Sequence, residues 1–247
     1  MRRLAVALAL LPAPAFAQSY LRAGVGYDVP RESGIGDVDC ARAAPAALFG
    51  CAAAVDGSPL GARGDFGASP ALELGIGRRI HPNVRLELQG AWRPDLDFSG
   101  QANFLRTPGR QPVSANGSSL SALAVAYFDF GQLGRARPFL GLGAGAARNR
   151  LSAVDYVFPG LGPEARTLAP GGARTAFAWT GQAGFGWRLS PRATLDVAYR
   201  YADLGTMRTR EGQAAVVRGG GTRAIAVAPT RAKLATEGVG VSIRWGF

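Results

Sequence analysis

One histidine, His81, is the only imidazole the sequence offers for general acid–base or nucleophilic chemistry. It stands beside Pro82 in a short break between two patterned segments, the place of a turn residue. No Ser/His/Asp set can be assembled, so no catalytic residue is assigned and an enzymatic role is not expected. Asp37-Val38-Asp39, with Asp56 and Asp65 in the same stretch, offers carboxylates to calcium. The Gly and Glu positions of a calcium loop are missing, so a solvated acidic loop is the expectation, with no metal and no cofactor. Arg208, Arg210, Arg218, Arg223 and Arg231 surround Glu211. Such a set suits lipid phosphates through bidentate hydrogen bonds, or is simply a solvated basic loop. Cys40 and Cys51 either bridge, as an oxidising compartment favours, or stay free thiols; a ring this short contributes ~3 kcal/mol in the chain-entropy model.

The charge of the chain narrows the partners. Net charge is +11, or +9 without Arg2 and Arg3, and the cations are 27 Arg and Lys233. They are spread along the chain, which argues against nucleic acid and for anionic lipid head groups. Residues 1–17 have the order of an export leader: basic Met1-Arg2-Arg3, apolar Leu4 to Leu11, then Ala15-Phe16-Ala17 as a small-x-small cleavage site. The mature domain is therefore expected over residues 18–247.

What must position these side chains is a series of segments in which apolar residues alternate with polar residues or glycine. At the C-terminus Val239, Val241, Ile243, Trp245 and Phe247 alternate with Gly238, Gly240, Ser242, Arg244 and Gly246. Leu195, Val197, Tyr199 and Tyr201 alternate with Asp196, Ala198 and Arg200, and Phe177 to Leu189 repeats the pattern. Five more segments start near Leu21, Leu72, Val84, Leu120 and Leu140, making eight. In the segment from Leu120 the faces are ambiguous, because Leu123, Val125 and Tyr127 are apolar as well. Short breaks near 81–83, 131–137 and 190–192 alternate with long ones near 30–67, 94–118, 149–174 and 206–231.

These features predict an all-β fold: an eight-stranded antiparallel transmembrane β-barrel with four long extracellular loops and three short periplasmic turns. A strand crosses a bilayer in ~9–11 residues and needs no continuous apolar run. The apolar face is expected against lipid, since glycines share the charged face and aromatics gather near strand ends. A barrel of eight strands is only just wide enough for side chains to fill. Arg22, Glu73, Arg85, Glu87, Asp129, Arg188, Asp196, Arg200 and Arg244 are therefore expected to form a paired network that plugs the lumen.

Phe177-Ala178-Trp179 through Pro191, Thr194-Leu195-Asp196 through Gly205, and Ala126-Tyr127-Phe128-Asp129-Phe130 followed by Pro138 to Gly145 resemble the opacity-type porin family. These are small outer-membrane barrels related to the membrane domain of outer membrane protein A. The resemblance covers the fourth to eighth segments well and the first three loosely. It implies a bacterial outer-membrane location and a role in envelope integrity, adhesion or surface display. It also implies that Val241, Ile243, Trp245 and Phe247 are the signal read by the barrel-assembly machinery. The partners so implied are outer-membrane lipid, lipopolysaccharide and a surface or host ligand. The alternatives are a narrow porin, which an arginine excess would make anion-preferring, and a lipid A-modifying enzyme, which the lone His81 disfavours.

Overall fold

The computed structural model describes residues 18–247, so the leader expected at 1–17 lies outside the described residues. Eight long strands form the frame: β1 Ser19–Pro30, β2 Ser69–His81, β3 Val84–Arg93, β4 Gly117–Asp129, β5 Ala136–Leu151, β6 Gly172–Arg188, β7 Ala193–Arg208 and β8 Thr230–Gly246. Each pairs antiparallel with the next, and β1 pairs with β8 from Tyr20↔Gly246 to Pro30↔Thr236. The sheet is thus a closed barrel with every long strand paired on both sides. In hydrocarbon an unpaired strand edge is not tolerated, and closure removes it.

Burial alternates as the sequence pattern requires, with the apolar side outward. In β2, Leu72 and Leu74 are 47% and 69% exposed while Glu73 between them is 4% exposed. The same inversion holds for Leu86 and Leu88 around buried Glu87, and for Ile243 and Trp245 around buried Arg244. β4 resolves its own ambiguity: Leu123, Val125 and Tyr127 point inward, and Ala122, Ala124 and Ala126 point outward. The reason lies on β5, which presents Gly141, Gly143 and Gly145 to the same interior. A Cβ on Gly141 would stand 2.6 Å from the Tyr127 ring, and one on Gly143 2.7 Å from a Val125 methyl. The glycines vacate the volume that the large β4 side chains fill.

The long connections are not irregular. Ser33–Asp37 pairs with Gly61–Phe66, Phe98–Asn103 with Gln111–Ala115, Val154–Val157 with Arg166–Ala169, and Gly212–Arg218 with Gly221–Val227. These hairpins also pair side by side, and Ser33–Asp37 pairs with the start of β8. The result is a β collar that continues the barrel wall on the long-loop side. Its interior is apolar: Ile35, Phe66, Leu96, Phe98, Tyr156, Leu204, Met207 and Leu234 are buried there. The interior therefore has two storeys, an ionic one inside the barrel and an apolar one under the collar.

Candidate functional site

The lower storey holds a chain of ion pairs bridged at one point by a tyrosine hydroxyl, with a separate Arg244–Asp196 pair beside it. The Arg93 Nε and an Arg200 Nη each donate to Asp28 at 2.6 Å. Arg200 also reaches Glu73, which receives Arg22 at 3.0 Å, and Arg22 donates through Nε to Glu87 at 2.8 Å. The Tyr20 hydroxyl donates to Glu87 at 3.0 Å and accepts from Arg85 at 3.3 Å. Arg85 then pairs with Asp129 at 3.0 Å, and its guanidinium lies 4.4 Å from the centre of the Tyr127 ring. Arg244 grips Asp196 with two bonds of 2.8 and 2.9 Å. Gln89 donates to Glu73, and Gln182 links Gln89 to Tyr127.

Alternation explains how distant residues meet: each carboxylate or guanidinium occupies the inward parity of its own strand. Of the nine residues assigned from the sequence to this network, eight are buried and ion-paired, Asp196 and Arg244 with each other alone. Arg188 is the correction. It has inward parity but stands at the short-turn mouth, exposed and outside every ion pair among the described residues. Arg79, Arg135, Arg137 and Asp129 are among the residues that line that mouth with it, open enough for the extra cation to stay solvent-exposed. Asp28 and Arg93, which share the charged parity of their strands, belong to the network as well. With them the buried ionic groups are Arg22, Arg85, Arg93, Arg200 and Arg244 against Asp28, Glu73, Glu87, Asp129 and Asp196. Five cations meet five anions, so the arginine excess expected inside is absent. Neutrality suits a low-dielectric surround, where a net buried charge is costly.

The collar positions the remaining candidates. Cys40 and Cys51 form a disulfide. Beside it the Asp37 carboxylate accepts the backbone N–H groups of Leu48, Phe49 and Gly50 at 3.0, 3.0 and 2.8 Å. This turns the Phe49 ring inward, onto Phe104 at 5.0 Å and Tyr156 at 5.8 Å. Burial, with Asp37 nearby, pushes the Tyr156 hydroxyl up from its ordinary pKa. The carboxylates of the loop do not converge. Asp39 accepts from the Ala41 N–H, Asp56 from Ser58, and Asp65 faces out from its own hairpin. The hydrogen bonds from Ser58 hold Asp56 below the usual carboxylate range. His81 is exposed at the β2–β3 turn, where its ring accepts from the Asn83 N–H at 3.4 Å.

The five arginines grouped from the sequence separate: Arg231 lines another cavity, beside Arg63 and Lys233, and the other four divide between two places. Arg208 and Arg210 stand at the base of the fourth hairpin, where they share a cleft with Arg42 and Arg174. Arg218 bonds the Arg166 carbonyl at 2.9 Å and covers the Phe158 ring, and Arg223 is exposed near the hairpin end. The split follows from the hairpin itself, which carries the last two away along its strands. Val241, Ile243, Trp245 and Phe247 all face outward in one row. The Phe247 N–H donates to the Ser19 carbonyl at 3.0 Å, so this row borders the seam where the barrel closes.

Comparison with known proteins agrees with this architecture. Residues 4–219 match the family model described as outer membrane protein beta-barrel domain. A search of curated proteins gives no match. Among solved structures the chain is similar to the outer membrane protein OprG from Pseudomonas aeruginosa, at 13% identity and TM-score 0.50, covering 94% of this chain and 96% of that one. It is similar to the outer membrane protease OmpT from Escherichia coli, at 6% identity and TM-score 0.54, covering 96% and 99%. Neisserial surface protein A aligns over 94% and 99% at 14% identity and TM-score 0.41. Identities this low speak to the fold alone. An inside-out closed barrel and a family match over most of its length lead to one conclusion: the chain belongs to the outer membrane protein beta-barrel domain family and resides in the bacterial outer membrane.

Proposed function

We propose that this protein is a sealed, non-catalytic barrel whose role lies in the collar it displays outside the cell, as a structural, surface-display or adhesion element. In this reading the four long connections face outward and the three short turns face the periplasm. The carrying observation is the filled interior. Among Arg22, Glu73, Arg85, Gln182, Asp196 and Arg200 the free space is about 10 Å³, at the limit for one water. Above it the core under the collar is mostly apolar and offers an ion few polar partners.

Conductance tests the seal. The folded protein in planar bilayers should give no steady single-channel current between pH 5 and 8. A reproducible current would reject the plugged interior and favour a narrow porin; the buried groups balance five to five, so any anion preference would come from Arg79, Arg135, Arg137 and Arg188 at the short-turn mouth. Antibodies against the hairpins should label intact cells, which fixes the facing of the loops. Lipid A from cells with and without the gene should give the same mass spectrum; a changed spectrum would restore the enzymatic alternative.

A further inference from the structure

Four guanidinium groups line one cleft at the base of the collar. Arg42 comes from the disulfide-closed loop, Arg174 from the start of β6, Arg208 from the end of β7 and Arg210 from just beyond it. They surround a cavity of about 390 Å³. Glu211 is the one carboxylate among its lining residues, and Arg42 holds it at 2.7 Å. Arg174, Arg208 and Arg210 form no ion pair among the described residues. Three uncompensated cations facing one space repel each other, and an anion with several oxygens relieves that repulsion. Guanidinium forks match phosphate oxygens two at a time, which a single carboxylate cannot exploit from three directions.

The level of the cleft selects the source of that anion. Ala173, in the wall of the cleft, lies four residues along β6 from outward-facing Phe177. At ~3.3 Å per residue that is ~13 Å beyond the ring, and less in height once the strand tilt is counted. Aromatic side chains of membrane barrels mark the edge of the hydrocarbon, so the cleft stands in the head-group layer. The register sets Arg150 beside Ala173 and Arg148 beside Thr175, both exposed on the same outer face. A phosphate tethered to a lipid is held at this height by its own acyl chains, so it meets the cleft at high effective concentration.

We infer that the cleft formed by Arg42, Arg174, Arg208 and Arg210 binds a phosphate ester of the outer-leaflet glycolipid, lipopolysaccharide, with Glu211 as the internal anion it displaces. The inference rests on the outward facing of the loops and goes beyond it in naming the site. It also gives the disulfide a purpose, since the ring from Cys40 to Cys51 carries Arg42.

The mature protein, folded in an uncharged detergent, is titrated with bisphosphorylated lipid A, with the same lipid dephosphorylated, and with inorganic phosphate, and read by native mass spectrometry. Phosphorylated lipid A should bind at least tenfold more tightly than the dephosphorylated form. The double variant Arg208→Ala/Arg210→Ala should lose at least tenfold, Arg208→Lys/Arg210→Lys should lose less, and Arg223→Ala should match the wild type. Each variant is first shown to keep the mobility shift between unboiled and boiled samples. Equal binding by the wild type and the Arg208→Ala/Arg210→Ala variant would overturn the site. Inorganic phosphate that competes as well as the lipid would overturn the glycolipid as its source. Intact cells left unlabelled by hairpin antibodies would instead overturn the outward facing, independently of the binding result.

Discussion

Asp28→Ala should lower the unfolding free energy of the barrel by about 3–5 kcal/mol, the cost of leaving buried charges without their partner. Asp28 is fully buried and receives Arg93 and Arg200 at 2.6 Å each. Arg200 keeps Glu73, whereas Arg93 keeps only the Ser121 hydroxyl at 3.3 Å. Arg93 is itself 1% exposed, so water cannot replace the lost carboxylate without opening the wall. Asp28→Asn should cost less, because an amide oxygen still accepts one hydrogen bond although the charge is gone. Urea titration of the barrel in lipid vesicles, followed by tryptophan fluorescence, measures both. Equal and small losses would mean that the network is wet and the lumen is not sealed. The double variant Asp28→Leu/Arg93→Leu separates charge from packing: removing both partners should recover part of the loss, since a buried pair is worth little beyond an apolar replacement.

The network and the barrel were legible for the same reason, a period of two sustained over long strands. In β8 the alternation continues from Val239 to Phe247, and its inward Arg244 could be assigned without knowing the partner Asp196. Parity does not report depth, however. Arg188 has the right parity, yet its place one strand end from solvent could not be read from the pattern. β4 was illegible for a different reason. Both its faces are apolar, and only the glycines across on β5 decide which face carries the bulk. The collar was missed because its strands span four to seven residues, too few for alternation to stand out. Arginine and glycine also occupy their outer parity, so the chain reads as loop. What makes them strands is the neighbour: each hairpin completes its hydrogen bonds on the next and buries an apolar residue such as Val113 or Tyr156 beneath. The arginine cleft depends on that tertiary arrangement, since Arg42 and Glu211 are 169 residues apart.

Phe49→Ala should destabilise the collar by about 3–5 kcal/mol, the usual cost of deleting a buried phenyl ring, while leaving the eight-stranded frame intact. The ring is 5% exposed and stacks on Phe104, with Tyr156 against its edge. Its segment is otherwise held by the three N–H bonds to Asp37, by the Ala228 N–H on the Ala46 carbonyl at 2.8 Å and by the exposed Arg42–Glu211 pair. The disulfide does not compensate, because it closes a ring between cysteines 11 positions apart and does not fasten that ring to the barrel. Local opening is then the expected response, and the frame has no part in it, since none of its strand pairing passes through Phe49. Trypsin should cleave the folded variant after Arg42 faster by roughly a hundredfold, as a loss of 3 kcal/mol implies when cleavage follows opening. The mobility shift between unboiled and boiled samples should persist. If that shift disappears, collar and barrel unfold as one unit and the two storeys are not separable. If cleavage is unchanged, the Asp37 bonds alone hold the loop. The same variant should also weaken phosphorylated lipid A binding, because the loop that Phe49 pins is the one that delivers Arg42 to the cleft.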